Sequence, residues 1–303
     1  MDRVGRRDAL LTSRTARPNY GYWRRAWRRF KDNRVSLTAL IVLGLIVLFT
    51  LSAGLISEYV THMSYSENHL SDKLLPPFTD PYYLGSDANG RDVLTRLAYG
   101  GRVSLYVALL ATASILAIGG TVGALAGYFG GFVDSLFMRA ADVLLSFPTL
   151  LLLILVSSLY SPGPTFLAIF IAGVSWAGVS RIVRGEVMAL RTRDYIDAAR
   201  VLGSSNGRII IRHIIPNIVP IIVVWASLVI PGLILTEASL SYLGLGVMVP
   251  TPSWGNMLQD AKQFVSRNWT LVFIPGLAIY ITVLCLYLVG NGLRDALDPR
   301  LNN

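Results

Sequence analysis

The sequence contains one cysteine and three histidines in 303 residues, and this scarcity excludes several kinds of site. A lone cysteine, Cys285, cannot form a disulfide framework, and it lies inside an apolar run. His62 and His69 are separated by seven positions and have no other ligand-type residues at metal spacing, so we interpret them as solvated loop histidines. An enzyme would need a nucleophile with its base or a cluster of metal ligands, and the sequence supplies neither.

Charged residues are also scarce. They make up 15% of the chain, whereas hydrophobic residues make up 53% and the mean hydropathy is +0.53. This composition is too apolar for an ordinary soluble protein and indicates an integral membrane protein, which the helix-length apolar runs of the sequence predict to be all-α. The net charge of +9 is compatible with nucleic-acid binding, but the positions of the charges favour a different interpretation.

Six apolar runs approach the length that a membrane span requires. A helix needs about 20 apolar residues to cross the hydrocarbon core of a bilayer. The runs comprise residues 37–56, 103–127, 143–160, 165–179, 217–236 and 271–290. The fourth run is short, so a model with five spans has to be tested against the model with six.

The distribution of lysine and arginine separates these two models. With six spans and a cytoplasmic N-terminus, 21 of the 27 Lys and Arg residues fall in the inner segments 1–36, 128–142, 180–216 and 291–303. Cytoplasmic loops carry such an excess of basic residues. A five-span model would place the seven arginines of 180–216 outside. The sequence therefore predicts six spans with both termini in the cytoplasm.

The Arg-rich segment 1–36 contains a second helical signal. Trp23, Trp27 and Phe30 follow the spacing of one helix face, with arginines beside them. This pattern predicts an interfacial helix on the inner leaflet before the first span. A nucleic-acid-binding arm and, for residues 1–18, a basic tail without structure are the alternatives.

Residues 194–216 interrupt the apolar sequence with "DYIDAARVLGSSNGRIIIRHIIP". Asp194 is a suitable N-cap and Gly203 a suitable left-handed C′ residue, which predicts a helix over 195–202. Tyr195, Ala198, Ala199 and Leu202 share a face at helical spacing. An isolated helix of this length is marginal in water, so it must pack, either on this chain or against a cytosolic partner.

The same stretch resembles a known motif. "DAARVLG", nine residues and "HIIP" are similar to the EAA motif of bacterial ABC importer membrane subunits, with Asp197 in the place of the usual Glu and His213 where an apolar residue is common. Six further blocks resemble the oligopeptide/dipeptide permease branch, and within it the C-type subunit. They are "LGSDANGRDVLTRLAYGGRVSL", "FPTLLL", "RIVRGEV", "EASLSYLGLG", "PTPSWGNML" and "GLRDALDPRL".

The resemblance implies a type I ABC importer permease fold with the first span at 37–56, an outer loop at 57–102, a five-helix core at 103–290 and a tail at 291–303. In that family two homologous six-span subunits form the pathway, two cytosolic ATPase subunits power it and an extracytoplasmic binding protein delivers peptides. The chain is then a transport subunit of a bacterial or archaeal cytoplasmic membrane, and not an enzyme. The EAA region resembles the coupling helix, whose expected ATPase contacts here are Tyr195, Asp197, Ala198, Ala199, Arg200, Leu202 and Gly203.

The sequence lacks the phosphate-cradling pattern G-x-x-x-x-G-K-[ST], so ATP and Mg²⁺ are expected on partner subunits and no cofactor or metal on this chain. Gly119, Gly123 and Gly127 lie mid-span at a spacing of four, which predicts close helix packing. A secondary transporter would be expected to show inverted repeats or midplane charges, and neither is evident.

Several residues near the ends of spans have two interpretations. Glu237, at the outer end of the fifth span, is either a structural hydrogen-bonding group or part of the pathway. Trp254 and Trp269 are typical of outer interface anchors, although Trp254 can also belong to a gate or contact the binding protein. Arg139 and Asp142 are predicted to form a local pair at the inner end of the third span.

Overall fold

The computed structural model describes residues 22–160 and 163–297, and within these ranges the chain is mostly helical, with an irregular loop over residues 61–92. The predicted basic tail at 1–18 lies outside the described residues, as does the end of the tail at 298–303. Five described helices are long and apolar enough to cross a membrane, and a bent pair of helices supplies a sixth span if its two halves are taken together. The predicted all-α membrane fold is therefore confirmed.

The main helices are α1 (Tyr22–Asp32), α2 (Arg34–Leu51), α3 (Val93–Phe129), α4 (Gly131–Leu145), α5 (Thr149–Leu159), α6 (Pro164–Arg191), α7 (Asp194–Val201), α8 (Ile215–Tyr242), α9 (Trp254–Ala261) and α10 (Thr270–Leu297). Short helical segments at Ala53–Leu55 and Ile56–Val60 extend α2, and segments at Asn206–Ile209 and Ile210–Ile214 lead into α8.

The third predicted span is not one straight helix. A single helix over 143–160 was the expectation, but α4 and α5 meet at a bend of 81°. Pro148 lies at this break; its ring removes a backbone donor and disfavours helical geometry at Phe147. The Ser146 hydroxyl donates to the carbonyl oxygen of Val143 at 2.7 Å and so satisfies one free end of α4. The apolar run therefore consists of two shorter helices.

The fourth predicted span is longer than its apolar run. Residues 165–179 are apolar, yet α6 continues to Arg191 over 28 residues. Its second half carries arginines that pair with α4: Arg184 with Asp134, and Arg181 with Asp142. The predicted local pair between Arg139 and Asp142 is therefore wrong, because the carboxylate of Asp142 binds a guanidinium across the helix pair.

Helices α3 and α6 form the most extensive packing in the fold, and three glycines of α3 lie along the contact. A Cβ atom added at Gly119, Gly123 or Gly127 would lie 2.7, 2.5 and 2.7 Å from backbone carbonyl oxygens of α6. Only a hydrogen in place of a side chain allows the two backbones to approach this closely. Helices α3 and α6 therefore pack as one unit over two turns.

Gly123→Ala should separate these helices. The new Cβ would lie 2.5 Å from the Ser180 carbonyl oxygen and 2.8 Å from the Val183 Cβ, so one helix must shift. Overpacking of this kind costs about 1–3 kcal/mol, and we expect a lower unfolding temperature in detergent. Gly120→Ala is the matched control, because its Cβ meets nothing within 4 Å, and this variant should not lower stability. Equal unfolding temperatures for the two variants would contradict the packing account.

The predicted N-terminal helix exists as α1, but its aromatic face is divided. Phe30 is buried against Ala296 and Leu297 at the end of α10. It therefore does not face lipid, contrary to the expectation for an interfacial helix. Trp27 stacks on Phe30 with ring centroids 5.8 Å apart and remains half exposed. The side chain of Trp23 lies outside the described residues. Helix α1 is thus attached to the chain's own last helix.

Candidate functional site

Helix α7 is an eight-residue helix that lies in the chain between α6 and the short helical segments leading into α8. It begins one residue earlier than predicted, because Arg193 occupies the N-cap position and Asp194 lies in the first turn. Asp194 is therefore not the N-cap, although its charge still favours the helix N-terminus. Ser205 holds the N-cap position of the next helix without a side-chain bond.

The end of α7 is a Schellman motif. Gly203 has a φ of +78°, the left-handed conformation that its sequence position predicted. Its N–H donates to the Arg200 carbonyl oxygen at 2.9 Å, and the Ser204 N–H donates to that of Ala199 at 3.0 Å. These two bonds satisfy the last carbonyl groups of the helix and turn the chain sharply. The C-terminal end of this short helix is therefore fixed by backbone hydrogen bonds.

The two faces of α7 differ in exposure. Ile196 and Ala199 are buried in the main core at 0% and 8% exposure, and they hold the helix on its own chain. Ala199 therefore does not share an exposed face with Tyr195, Ala198 and Leu202, as the spacing had suggested. The other six predicted contact residues are on the surface; they are Tyr195, Asp197, Ala198, Arg200, Leu202 and Gly203.

The exposed face of α7 ends in an apolar pair that sequence reasoning found only in part. Leu202 is 84% exposed and Val201, which the sequence did not single out, is 87% exposed. Asp197 and Arg200 form an exposed ion pair at 2.8 Å on the same surface. Two large apolar side chains are therefore almost fully exposed beside a charged pair at the end of α7.

Glu237 and Trp254 belong to one buried cluster near the opposite end of the bundle. Glu237 is fully buried in α8, and its carboxylate accepts from the Ser104 hydroxyl at 2.8 Å and the Ser241 hydroxyl at 2.7 Å. The Ser104 hydroxyl oxygen also accepts from the Trp254 backbone N–H at 3.3 Å. This cluster ties α3, α8 and α9 together. In this conformation neither Glu237 nor Trp254 faces an open path.

Trp254 is not the interface anchor that its sequence position suggested. It is 1% exposed, and its indole Nε1 donates to the Leu97 carbonyl oxygen at 3.0 Å. Gly101 of α3 leaves the space for the ring, since a Cβ there would lie 2.5 Å from the indole carbon Cζ2. Trp269, in contrast, is 60% exposed beside Phe273 and retains the character of an anchor.

Four charged residues near the N-terminal end of α3 form a buried network that sequence reasoning missed. Arg91 binds Asp87 at 2.6 Å and Asp260 of α9 at 2.8 Å. Arg96, 1% exposed, lies 3.4 Å and 3.5 Å from the same two carboxylates. Charged residues inside "SDANGRDVLTR", next to an apolar span, were the available signal. The partner, Asp260, is too distant in sequence to be inferred.

The loop before α3 is packed and not loose. Burial, with a hydrogen bond to Asp72, raises the pKa of Tyr82 to about 12, so its hydroxyl stays protonated and donates to Asp72 at 3.0 Å. Asp92 caps α3 by accepting from the Thr95 N–H at 2.7 Å, and burial raises the pKa of its carboxyl group. Among the described residues no group of three or more His, Cys, Asp or Glu is arranged to hold a metal ion.

Comparison with known proteins places this architecture in a family. Residues 119–303 match the family described as binding-protein-dependent transport system inner membrane component, and residues 21–77 match the N-terminal transmembrane domain of oligopeptide transport permease C. The dipeptide transport system permease protein DppC of Alkalihalophilus pseudofirmus is 40% identical over 93% of this chain and 91% of its own. The oligopeptide transport system permease protein OppC of Escherichia coli is 40% identical over 92% and 91%.

A solved structure shares the fold. The inward-facing MetNI methionine ABC transporter aligns with a TM-score of 0.50 and 18% sequence identity, covering 66% of this chain and 95% of the solved one. The chain belongs to the binding-protein-dependent transport system inner membrane components, in the oligopeptide/dipeptide permease C branch. It is a multi-pass permease subunit of an ABC transporter, as the resemblance had implied, and it has the type I ABC importer permease fold.

Proposed function

We propose that this chain is one of two homologous membrane subunits of an ATP-driven importer of dipeptides or oligopeptides. Its relatives are named as dipeptide and oligopeptide permease proteins over more than nine-tenths of the chain. Two cytosolic ATPase subunits bind ATP and Mg²⁺ and supply the energy, and an extracytoplasmic binding protein delivers the peptide. Alternating access of the spans moves the peptide inward.

The exposed face of α7 is the observation that carries this proposal. Ile196 and Ala199 fix the helix on its own core, and Val201 and Leu202 remain in solvent. A face of this kind fits a groove on an ATPase subunit, as the resemblance to a coupling helix implies. The predicted contact residues other than Ala199 therefore stay in the proposal, and Val201 joins them.

The buried cluster around Glu237 has a positioning role in this proposal. It holds α9 on α3 and α8, and Gly255 brings the α9 backbone close to α8, since a Cβ there would lie 2.6 Å from the Ala238 carbonyl oxygen. Helix α9 lies at the outer end of the bundle in the proposed orientation. In this proposal Glu237 and Trp254 fix the position of α9 in the outer part of the pathway wall, and they do not contact the peptide.

The proposed orientation places both termini and α7 in the cytoplasm and residues 57–102 outside. The excess of Lys and Arg in the inner segments supports it. Attachment of α1 to the end of α10 also brings the two terminal segments to one side. The inner-membrane description of the family fits a bacterial cytoplasmic membrane.

Single cysteines test this orientation in a Cys285→Ser background. Ser66→Cys, exposed in the outer loop, should react with an impermeant maleimide added to protoplasts or spheroplasts. Ser205→Cys, exposed after α7, should react only in inverted vesicles. The native Cys285 is buried, so the background substitution removes little reactivity. Reaction of both positions from the same side would refute the proposed orientation.

Purification of the tagged chain from its own membrane in mild detergent tests the assembly. The proposal predicts that two P-loop ATPase subunits and a second six-span protein co-purify and are identified by mass. A chain that is recovered alone or as a homo-oligomer, and that still transports after reconstitution, would contradict the importer assignment and favour a secondary transporter.

A further inference from the structure

We propose that Tyr128 is the positioning residue that transmits movement of α7 to the α3–α6 helix pair. This inference rests on the proposed function, in which α7 meets the ATPase subunits. Tyr128 is the penultimate residue of α3 and is 5% exposed. Three separate elements meet at this one side chain and its carbonyl group.

The first contact joins Tyr128 to the segment after α7. Its hydroxyl donates to the Asn206 Oδ1 at 2.9 Å. Asn206 begins the short helix that leads into α8. The bond therefore connects the end of α3 with the start of the fifth span, 78 residues away in sequence.

The second contact joins the ring to α7. The Arg200 guanidinium carbon lies 5.8 Å from the centroid of the Tyr128 ring, within range of a cation–π interaction. The same guanidinium binds Asp197 at 2.8 Å, which fixes its direction. A displacement of the exposed face of α7 would move Arg200 with it and would change its contact with the Tyr128 ring.

The third contact joins the backbone of Tyr128 to the end of α6. The Arg191 Nη1 donates to the Tyr128 carbonyl oxygen at 2.9 Å, and Arg191 is the last residue of α6. The preceding Gly127 brings α3 onto α6, with a Cβ position 2.7 Å from the Arg184 carbonyl oxygen. Helices α3 and α6 therefore end together at Tyr128.

Lateral contacts are needed because the covalent connections of α7 are turns. Thr192 and Arg193 separate α6 from α7, and the Schellman turn at Gly203 follows α7. Packed side chains and hydrogen bonds between helices are the contacts that carry coupling from one element to another. Tyr128 supplies a hydrogen bond, a ring contact and a backbone acceptor within one residue.

Tyr128→Phe removes only the hydroxyl and tests this role in the reconstituted complex. We expect normal assembly and ATP hydrolysis, with the number of peptides imported per ATP hydrolysed lowered about 2- to 12-fold, the range that loss of one hydrogen bond corresponds to. Asn206→Ala should lower the same ratio, and the double variant should be no worse than either single one. A merely structural role would lower thermal stability and leave this ratio unchanged.

Tyr106→Phe is the matched control, because it lies on the same helix and loses one hydroxyl contact, that with the Thr165 Oγ1 at 3.0 Å. It should leave the ratio at the wild-type value. A wild-type ratio in Tyr128→Phe, an equal fall in Tyr106→Phe, or additive effects of Tyr128→Phe and Asn206→Ala would overturn the inference. If the wild-type complex itself fails to couple import to ATP hydrolysis, the proposed function fails instead.

Discussion

Leu202→Asp should release the ATPase subunits from this permease without unfolding it. Leu202 is 84% exposed, so an aspartate there loses little contact within the chain. Buried in a partner's groove, however, the new carboxylate would be desolvated without a partner charge. Removal of a central apolar contact alone weakens an interface by about 2 kcal/mol, which is about 30-fold in the dissociation constant. Val201→Asp should behave in the same way.

Titration of the solubilised permease with purified ATPase subunits measures this effect directly. Leu202→Met is the matched control, because it keeps an apolar side chain of similar volume and should bind normally. Ile196→Asp gives the opposite pattern, since Ile196 is fully buried and its replacement should lower thermal stability first. Unchanged affinity in both aspartate variants at the exposed positions would remove α7 from the ATPase interface.

Asp87→Ala should cause the largest loss of stability in the region before α3. The Asp87 carboxylate binds Arg91 at 2.6 Å and lies 3.4 Å from Arg96, and both guanidinium groups are almost fully buried. Without Asp87 they share only Asp260, and one positive charge is left in a buried site. Breaking a buried ion pair in this way costs about 3–5 kcal/mol.

Thermal unfolding in detergent provides the measurement, and an exposed ion pair of the same chain provides the control. Asp142 and Arg181 are about half exposed, so Asp142→Ala should cost about 0–1 kcal/mol. Asp260→Ala should resemble Asp87→Ala, because it removes the other carboxylate of the same network. If Asp87→Ala and Asp142→Ala unfold at the same temperature, the buried network contributes nothing particular to stability.

The five long membrane-spanning helices could be predicted because bilayer thickness imposes a minimum length on each apolar run. The orientation that the positive-inside rule gives to the loops stays a prediction. The bend between α4 and α5 could not be predicted in the same way, because proline is tolerated in membrane helices. Hydropathy also carries no information on the direction of a helix axis. Pro148 was visible in the sequence, but whether it bends or breaks a span depends on its neighbours. Here Asp134 and Asp142 attach α4 to α6, and these contacts lie too far apart in sequence to be read from the apolar run.

The contrast between Ala199 and Gly203 shows how far local rules reach at the candidate site. Gly203 was predicted correctly because a left-handed residue at a helix end is a property of the local backbone. Ala199 was assigned to the exposed face because spacing gives the relative direction of side chains but not which direction faces the protein. In the structure Ile196 faces the core and Tyr195 does not. A helical wheel alone does not tell which of these two side chains is buried.

Trp254 and the arginine network show the same limit. A tryptophan near a span end is typical of an interface anchor, yet Gly101 opens a space in α3 that receives the ring. The two residues are far apart in sequence, and only the fold brings them together. The same holds for Arg91 and Arg96, which only the fold brings close to Asp260. Composition and periodicity therefore do not predict those contacts of the site that join distant segments of the chain.

Peptide uptake by the reconstituted complex tests the central claim most directly. The purified complex in proteoliposomes, with its binding protein outside and ATP inside, should accumulate a labelled dipeptide or oligopeptide against its gradient. Accumulation should cease when ATP is replaced by a non-hydrolysable analogue or when Leu202→Asp replaces the wild-type chain. ATP-independent accumulation, or full activity of the Leu202→Asp complex, would contradict an importer powered through α7.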